Sequence, residues 1–112
     1  MSKIEYLFLC HEGAKRSPTA ASVAHEIAES KNLDIEMNYG AANAIGKNNE
    51  EYMAKHLDRY EKIFVMQNDI QEKLENLGIS KGKIVCLNIK DIYERHEPQL
   101  RKILKRKLEK LI

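Results

Sequence analysis

Four short apolar runs alternate along this chain with stretches of helical spacing, and that alternation restricts the fold more than any other property of the sequence. Ile4-Glu5-Tyr6-Leu7-Phe8-Leu9 is mostly apolar, partly aromatic and free of breakers, the pattern of a buried strand. Ser17-Pro18-Thr19 then offers a helix start, with Ser17 able to cap and Pro18 suited to a first turn. Ala20, Ala21, Val23, Ala24, Ile27 and Ala28 follow on a helical period that runs to about Lys31. Ile35 to Tyr39 alternates as a second strand, and the glycine- and asparagine-rich stretch from Gly40 to Asn49 reads as a loop. Asn49 is placed to cap a helix carrying Tyr52, Met53 and Leu57. Ile63-Phe64-Val65-Met66 is a third strand. Asn68 or Asp69 then opens a helix with Ile70, Leu74 and Leu77 on one face, stopped by Gly78. Ile84-Val85-Cys86-Leu87 is a fourth strand, and a polar loop with Asp91 and Tyr93 leads to Pro98. The last helix carries Leu100, Ile103, Leu104, Leu108 and Leu111. Strand and helix alternating four times predict an α/β fold of three layers, a four-stranded parallel sheet with helices on both faces.

Residues 1–112 suffice for one domain with one real core. With 43% hydrophobic and 32% charged residues, the composition is that of a globular chain. No apolar run approaches the roughly 20 residues that span a bilayer. Met1-Ser2-Lys3-Ile4-Glu5 meets an acidic residue before any long apolar stretch, so neither a membrane segment nor a secretory signal is expected, and the expected location is the cytoplasm. A net charge of +2 is too balanced to call for nucleic acid. The basic residues of the last helix (Arg101, Lys102, Lys105, Arg106, Lys107, Lys110) read as a solvated face near a helix C-terminus. The two cysteines, Cys10 and Cys86, form no C-x-x-C pair, and the four histidines form no H-x-x-x-H pair. Neither a disulfide scaffold, nor a metal site, nor a cofactor is expected. No unexplained apolar stripe marks a subunit contact.

Cys10 sits where chemistry is expected. In Cys10-His11-Glu12-Gly13-Ala14-Lys15-Arg16-Ser17 a cysteine is followed after five residues by arginine and serine, between a strand and a helix start. Ligands of α/β sheets bind outside the carboxyl ends of strands, and a tight loop there can turn successive amides inward around a tetrahedral oxyanion. Gly13 tolerates positive φ in the turn, and Arg16 offers a planar fork for two oxygens. The same surroundings would hold Cys10 as thiolate, an in-line nucleophile for phosphorus that passes through a cysteinyl-phosphate. Ser17 is placed to donate its hydroxyl to that sulfur. No G-x-x-x-x-G-K-[ST] occurs, so phosphate would be held without a nucleotide.

With these motifs, the chain resembles the low-molecular-weight protein tyrosine phosphatase family, in its short bacterial and archaeal branch. The resemblance covers nearly the whole chain: Tyr6-Leu7-Phe8-Leu9-Cys10, Arg16-Ser17-Pro18-Thr19-Ala20, Ile63-Phe64-Val65-Met66, Asn88-Ile89-Lys90-Asp91-Ile92-Tyr93 and Glu97-Pro98-Gln99-Leu100. It implies a hydrolase in which Cys10 is the nucleophile, Arg16 clamps the phosphate and Ser17 steadies the thiolate. The loop from His11 through Ser17 (His11, Glu12, Gly13, Ala14, Lys15, Arg16, Ser17) would bind phosphate. Asp91 would protonate the leaving group and later activate water, and Tyr93 would flank the pocket and stack on an aromatic substrate. The implied partner is a phosphorylated protein or a small phosphate ester.

The chain departs from the family pattern at three places. Glu12 and Gly13 replace a glycine and an asparagine of the phosphate loop, and Ile92 replaces a proline of the acid loop. Gly13 can take the left-handed turn but lacks the asparagine side chain's hydrogen bonds. The Glu12 carboxylate opposes a dianion unless it points to solvent or pairs with Lys15. Cys86, between apolar neighbours on a strand, reads as core, the other possibility being a resolving thiol for oxidised Cys10, as in an arsenate-reductase-like activity. Two further classes stand beside the hydrolase. One is a phosphocysteine carrier like the IIB components of sugar phosphotransferase systems, which lack the arginine and the late acid. The other is a catalytically weak module that binds an oxyanion without turnover.

Overall fold

A computed structural model describes residues 4–46 and 48–112. The start of the N-terminal reading (Met1 to Lys3) and Lys47 of the first long loop lie outside the described residues. Four strands, β1 (Ile4–Cys10), β2 (Ile35–Ala41), β3 (Lys62–Val65) and β4 (Ile84–Cys86), alternate with α1 (Arg16–Ser30), α2 (Glu50–Asp58), α3 (Asn68–Asn76) and α4 (Pro98–Leu108). All neighbouring strands pair in parallel, in the order β2-β1-β3-β4. The expected α/β sheet with helices on both faces is what the chain forms.

Alternation along the strands divides the core in two. Tyr6, Phe8 and Cys10 of β1 face α1 and α4, joining Ala20, Ala24, Leu100, Leu104 and Leu108. Leu7 and Leu9 face the other way, packing with Leu57, Ile63, Val65, Ile70 and Leu74 beneath α2 and α3. Phe8 and Phe64 are fully buried and stack across β1 and β3 with centroids 4.7 Å apart. The α4 residues read as apolar, Leu100, Leu104 and Leu108, are fully buried. Tyr52 lies on α2 as expected, 67% exposed and stacked on His56. Helical period alone does not say how wide the buried stripe is.

This topology sets the site. Sheet order reverses at β1, since the chain leaves it through α1 on one face and re-enters the sheet at β3 from beneath α2 on the other, so a crevice opens beyond the carboxyl ends of β1 and β3. After β4 the backbone continues beside β3, with the Leu87 amide donating to Val65 O at 2.8 Å and the Ile89 amide to Met66 O at 2.9 Å. The following loop is thereby drawn toward the same end of the sheet as Cys10. No helix of the described residues is long and apolar enough to cross a membrane.

Candidate active site

Cys10 is the last residue of β1, and α1 begins at Arg16, so residues 11–15 must turn the chain from sheet into helix. Gly13 makes this turn possible. Its φ is +72°, and a Cβ there would lie 2.9 Å from Gly40 C and 3.0 Å from Ala41 N, backbone atoms with no room to retreat. The turn directs the Gly13 amide at Cys10 Sγ, 3.1 Å away. A second anchor is the Asn43 amide, which donates to His11 O at 3.0 Å from the segment after β2.

Ser17 does not cap α1, contrary to expectation. Lys15 occupies the cap position without a side-chain cap bond, and Ser17 lies within the first turn. Its hydroxyl is 3.1 Å from Cys10 Sγ and donates to Gly40 O at 3.3 Å. Starting the helix at Arg16 takes that residue inside: at 2% exposure it is the largest fully buried side chain among the described residues. Its Nη1 donates to Ile89 O at 2.7 Å, its Nη2 to His11 Nδ1 at 3.2 Å, and its Nε lies 3.6 Å from Asp91 Oδ1. A buried guanidinium requires such partners.

Cys10, Glu12, Ala14, Lys15, Arg16 and Asp91 line one cavity of about 160 Å³. Burial pushes the Cys10 thiol up; the Ser17 hydroxyl, the amides of Ser17 and Gly13 and the Arg16 charge together outweigh this and hold it below its usual 9.0. The sulfur is therefore neither sealed in hydrocarbon nor isolated from the guanidinium.

The acid loop is fastened to the phosphate loop at three points. Lys15 Nζ donates to Glu94 Oε1 at 3.1 Å, so its partner is Glu94 and Glu12 remains exposed. Thr19, fully buried, donates to Lys15 O at 2.7 Å and accepts from the His96 amide at 2.8 Å. The third point is Ile89 O on Arg16. Asp91 is thus brought to the cavity with a side chain 62% exposed. Tyr93 does not accompany it. It is half-buried, packed against the α1–α4 core, and absent from the cavity lining.

Cys86 lies across the sheet from this site. It aligns with Val65, which aligns with Leu9, and all three face the α2–α3 core, whereas Cys10 faces the α1–α4 core. Opposite faces and two strand spacings, roughly 10 Å, separate the sulfurs' strands, so Cys86 is no resolving thiol in this fold. The site also holds a residue that the sequence reading passed over. Asp69 Oδ2, from the first turn of α3, lies 2.5 Å from His11 Nε2, and this bond holds the Asp69 carboxyl below its usual range. The available signal was topological: α3 begins at the carboxyl end of β3, beside the phosphate loop.

The fold has close structural relatives despite low identity. YwlE from Bacillus subtilis superposes with a TM-score of 0.70 at 18% identity, over 96% of this chain and 95% of that one, and is described as an arginine phosphatase. YfkJ from the same organism gives 0.70 at 19%, over 99% and 93%. A low molecular weight protein tyrosine phosphatase from T. tengcongensis gives 0.70 at 16%, over 96% and 97%. No protein-family model and no curated protein matches the sequence. The chain has the fold of the low molecular weight protein tyrosine phosphatases.

Proposed function

We propose that this protein is a phosphomonoester hydrolase, acting on phosphorylated protein or a small phosphate ester through a cysteinyl-phosphate. The observation that carries the reading is Cys10 Sγ held at 3.1 Å by both Ser17 Oγ and the Gly13 amide, in a cavity that Arg16 and Asp91 also line. A cavity of about 160 Å³ has room for a phosphoryl group. The Cys10 thiolate attacks phosphorus in line, forming the S–P bond as the P–O bond to the leaving group breaks. The Asp91 carboxyl gives its proton to the departing oxygen. Water then attacks the phosphocysteine, passing a proton to the Asp91 carboxylate, and the S–P bond breaks with the returning thiolate steadied by Ser17. Arg16 and the loop amides stabilise the equatorial oxygens throughout.

A phosphoguanidine, as in phosphoarginine, is the second reading of the substrate. The Glu12 and Asp91 carboxylates, which share the cavity wall with Lys15 and Arg16, are the groups a cationic leaving group would meet. The phosphocysteine carrier is disfavoured by the presence of Arg16 and Asp91 at the sulfur. The test is hydrolysis of p-nitrophenyl phosphate, with orthovanadate inhibition and loss of activity in Cys10→Ser. Binding of orthovanadate without turnover would leave an oxyanion-binding module, and stable phosphorylation of Cys10 by a donor protein would leave the carrier. Peptides bearing phosphotyrosine or phosphoarginine then decide between leaving groups.

A further inference from the structure

We propose that His11 and Asp69 form a positioning pair that fixes the Arg16 guanidinium toward the cavity. The proposal rests on the oxyanion site described above but not on turnover. His11 directly follows the nucleophile, yet its side chain does not line the cavity. It spans instead from α1 to α3, with one partner on each ring nitrogen. A guanidinium has only donors, so the Nδ1 facing Arg16 Nη2 at 3.2 Å must be the accepting nitrogen. The ring proton is therefore on Nε2, where it donates to Asp69 Oδ2 at 2.5 Å. Asp69 selects this tautomer, just as a carboxylate behind a metal-bound histidine selects the one that leaves a nitrogen free.

The hold on Arg16 follows from the count of its N–H groups. Ile89 O takes one on Nη1 and His11 takes one on Nη2, and Nε faces Asp91 Oδ1 at 3.6 Å, which leaves the second N–H of each terminal nitrogen for an oxyanion. One bond alone would let the plane of the guanidinium swing; two on different nitrogens fix it. The charged groups against the ring are Asp69 and Arg16. Lys90 shares a surface depression with Asp69, and Asp91 stands on the other side of the guanidinium.

The probe is sulfate, a dianion, titrated by NMR into protein carrying Cys10→Ser so that no thiolate ionises and no turnover is needed. Adding His11→Ala should weaken sulfate binding roughly tenfold, the worth of one charge-assisted hydrogen bond. Asp69→Ala should cause a smaller loss that disappears when His11 is already alanine. His11→Asn, whose amide oxygen can stand where Nδ1 stood, should restore affinity. Nitrogen-15 spectra of the ring should show the Nε2–H tautomer. Unchanged affinity in His11→Ala, additive losses in the double variant, or an Nδ1–H tautomer would overturn the proposal. Absent turnover with this sulfate pattern intact would remove the hydrolase and leave the pair standing.

Discussion

Removing one oxygen atom tests the whole arrangement around Cys10. Ser17 Oγ has a single proton and two neighbours, Cys10 Sγ at 3.1 Å and Gly40 O at 3.3 Å. With Cys10 as thiol, S–H donates to Oγ and the hydroxyl donates on to Gly40 O, a satisfied chain. With Cys10 as thiolate the hydroxyl must turn to sulfur and give up Gly40. A hydrogen bond to a charged group is worth about 1.5–3 kcal/mol, and the neutral bond surrendered about 0.5–1.5. The difference, about 1.4 kcal/mol, is about one pKa unit. Ser17→Ala should therefore raise the Cys10 pKa by about one unit, since the Gly13 and Ser17-position amides and Arg16 remain while burial still pushes upward. Thiolate absorbance at 240 nm against pH reads this directly, with Cys10→Ser as the blank for Cys86. The wild-type midpoint should fall below 9.0. The sign for stability follows: a folded-state pKa held below the unfolded one stabilises above the unfolded value, and the gain is lost as pH falls through the folded one. A midpoint that does not move in Ser17→Ala would refute the claim that the hydroxyl follows the charge on sulfur.

Gly13→Ala combines positive φ with a Cβ 2.9 Å from backbone, and should cost about 2–5 kcal/mol in urea unfolding; a loss well under 1 kcal/mol would mean the turn can rearrange. Asp91→Asn should slow phenyl phosphate by a hundredfold or more, on the order of a general acid's contribution, while p-nitrophenyl phosphate slows far less. Equal slowing of both would remove Asp91 from proton transfer. Phe64→Ala deletes a ring that is fully buried and stacked on Phe8, and should destabilise by about 3–5 kcal/mol by calorimetry; thermal unfolding at an unchanged temperature would contradict the packing.

Much of this was legible because it is local. The Cys10-to-Ser17 segment carries the cysteine, the turn, the arginine and the hydroxyl within eight residues, and strand and helix periods fix what precedes and follows it. Parallel order and facing could be inferred from alternation, since each crossover must pack a helix on the sheet. What escaped is what depends on partners distant in sequence. Ser17 resembles a cap until the helix is seen to begin at Arg16. Lys15 has Glu12 close by in sequence, yet its partner is Glu94, 79 positions away. Asp69 meets His11 across 58 positions, and no pattern of residues announces such a pair. Tyr93 packs against the α1–α4 core, and which apolar surface a half-buried ring meets is determined only by the packed structure.

The tethering of the acid loop to the first turn of α1 has a kinetic consequence. Arg16 and its carbonyl at Ile89 are 73 positions apart, so the reaction centre cannot assemble from any contiguous piece of chain. Such distant closures come late in folding, after the loop entropy has been spent. A transient loosening of the segment between β4 and α4 would strip the acid from the cavity while β1 and its sulfur stayed in register, exposing the thiolate to oxidants before the sheet itself opened.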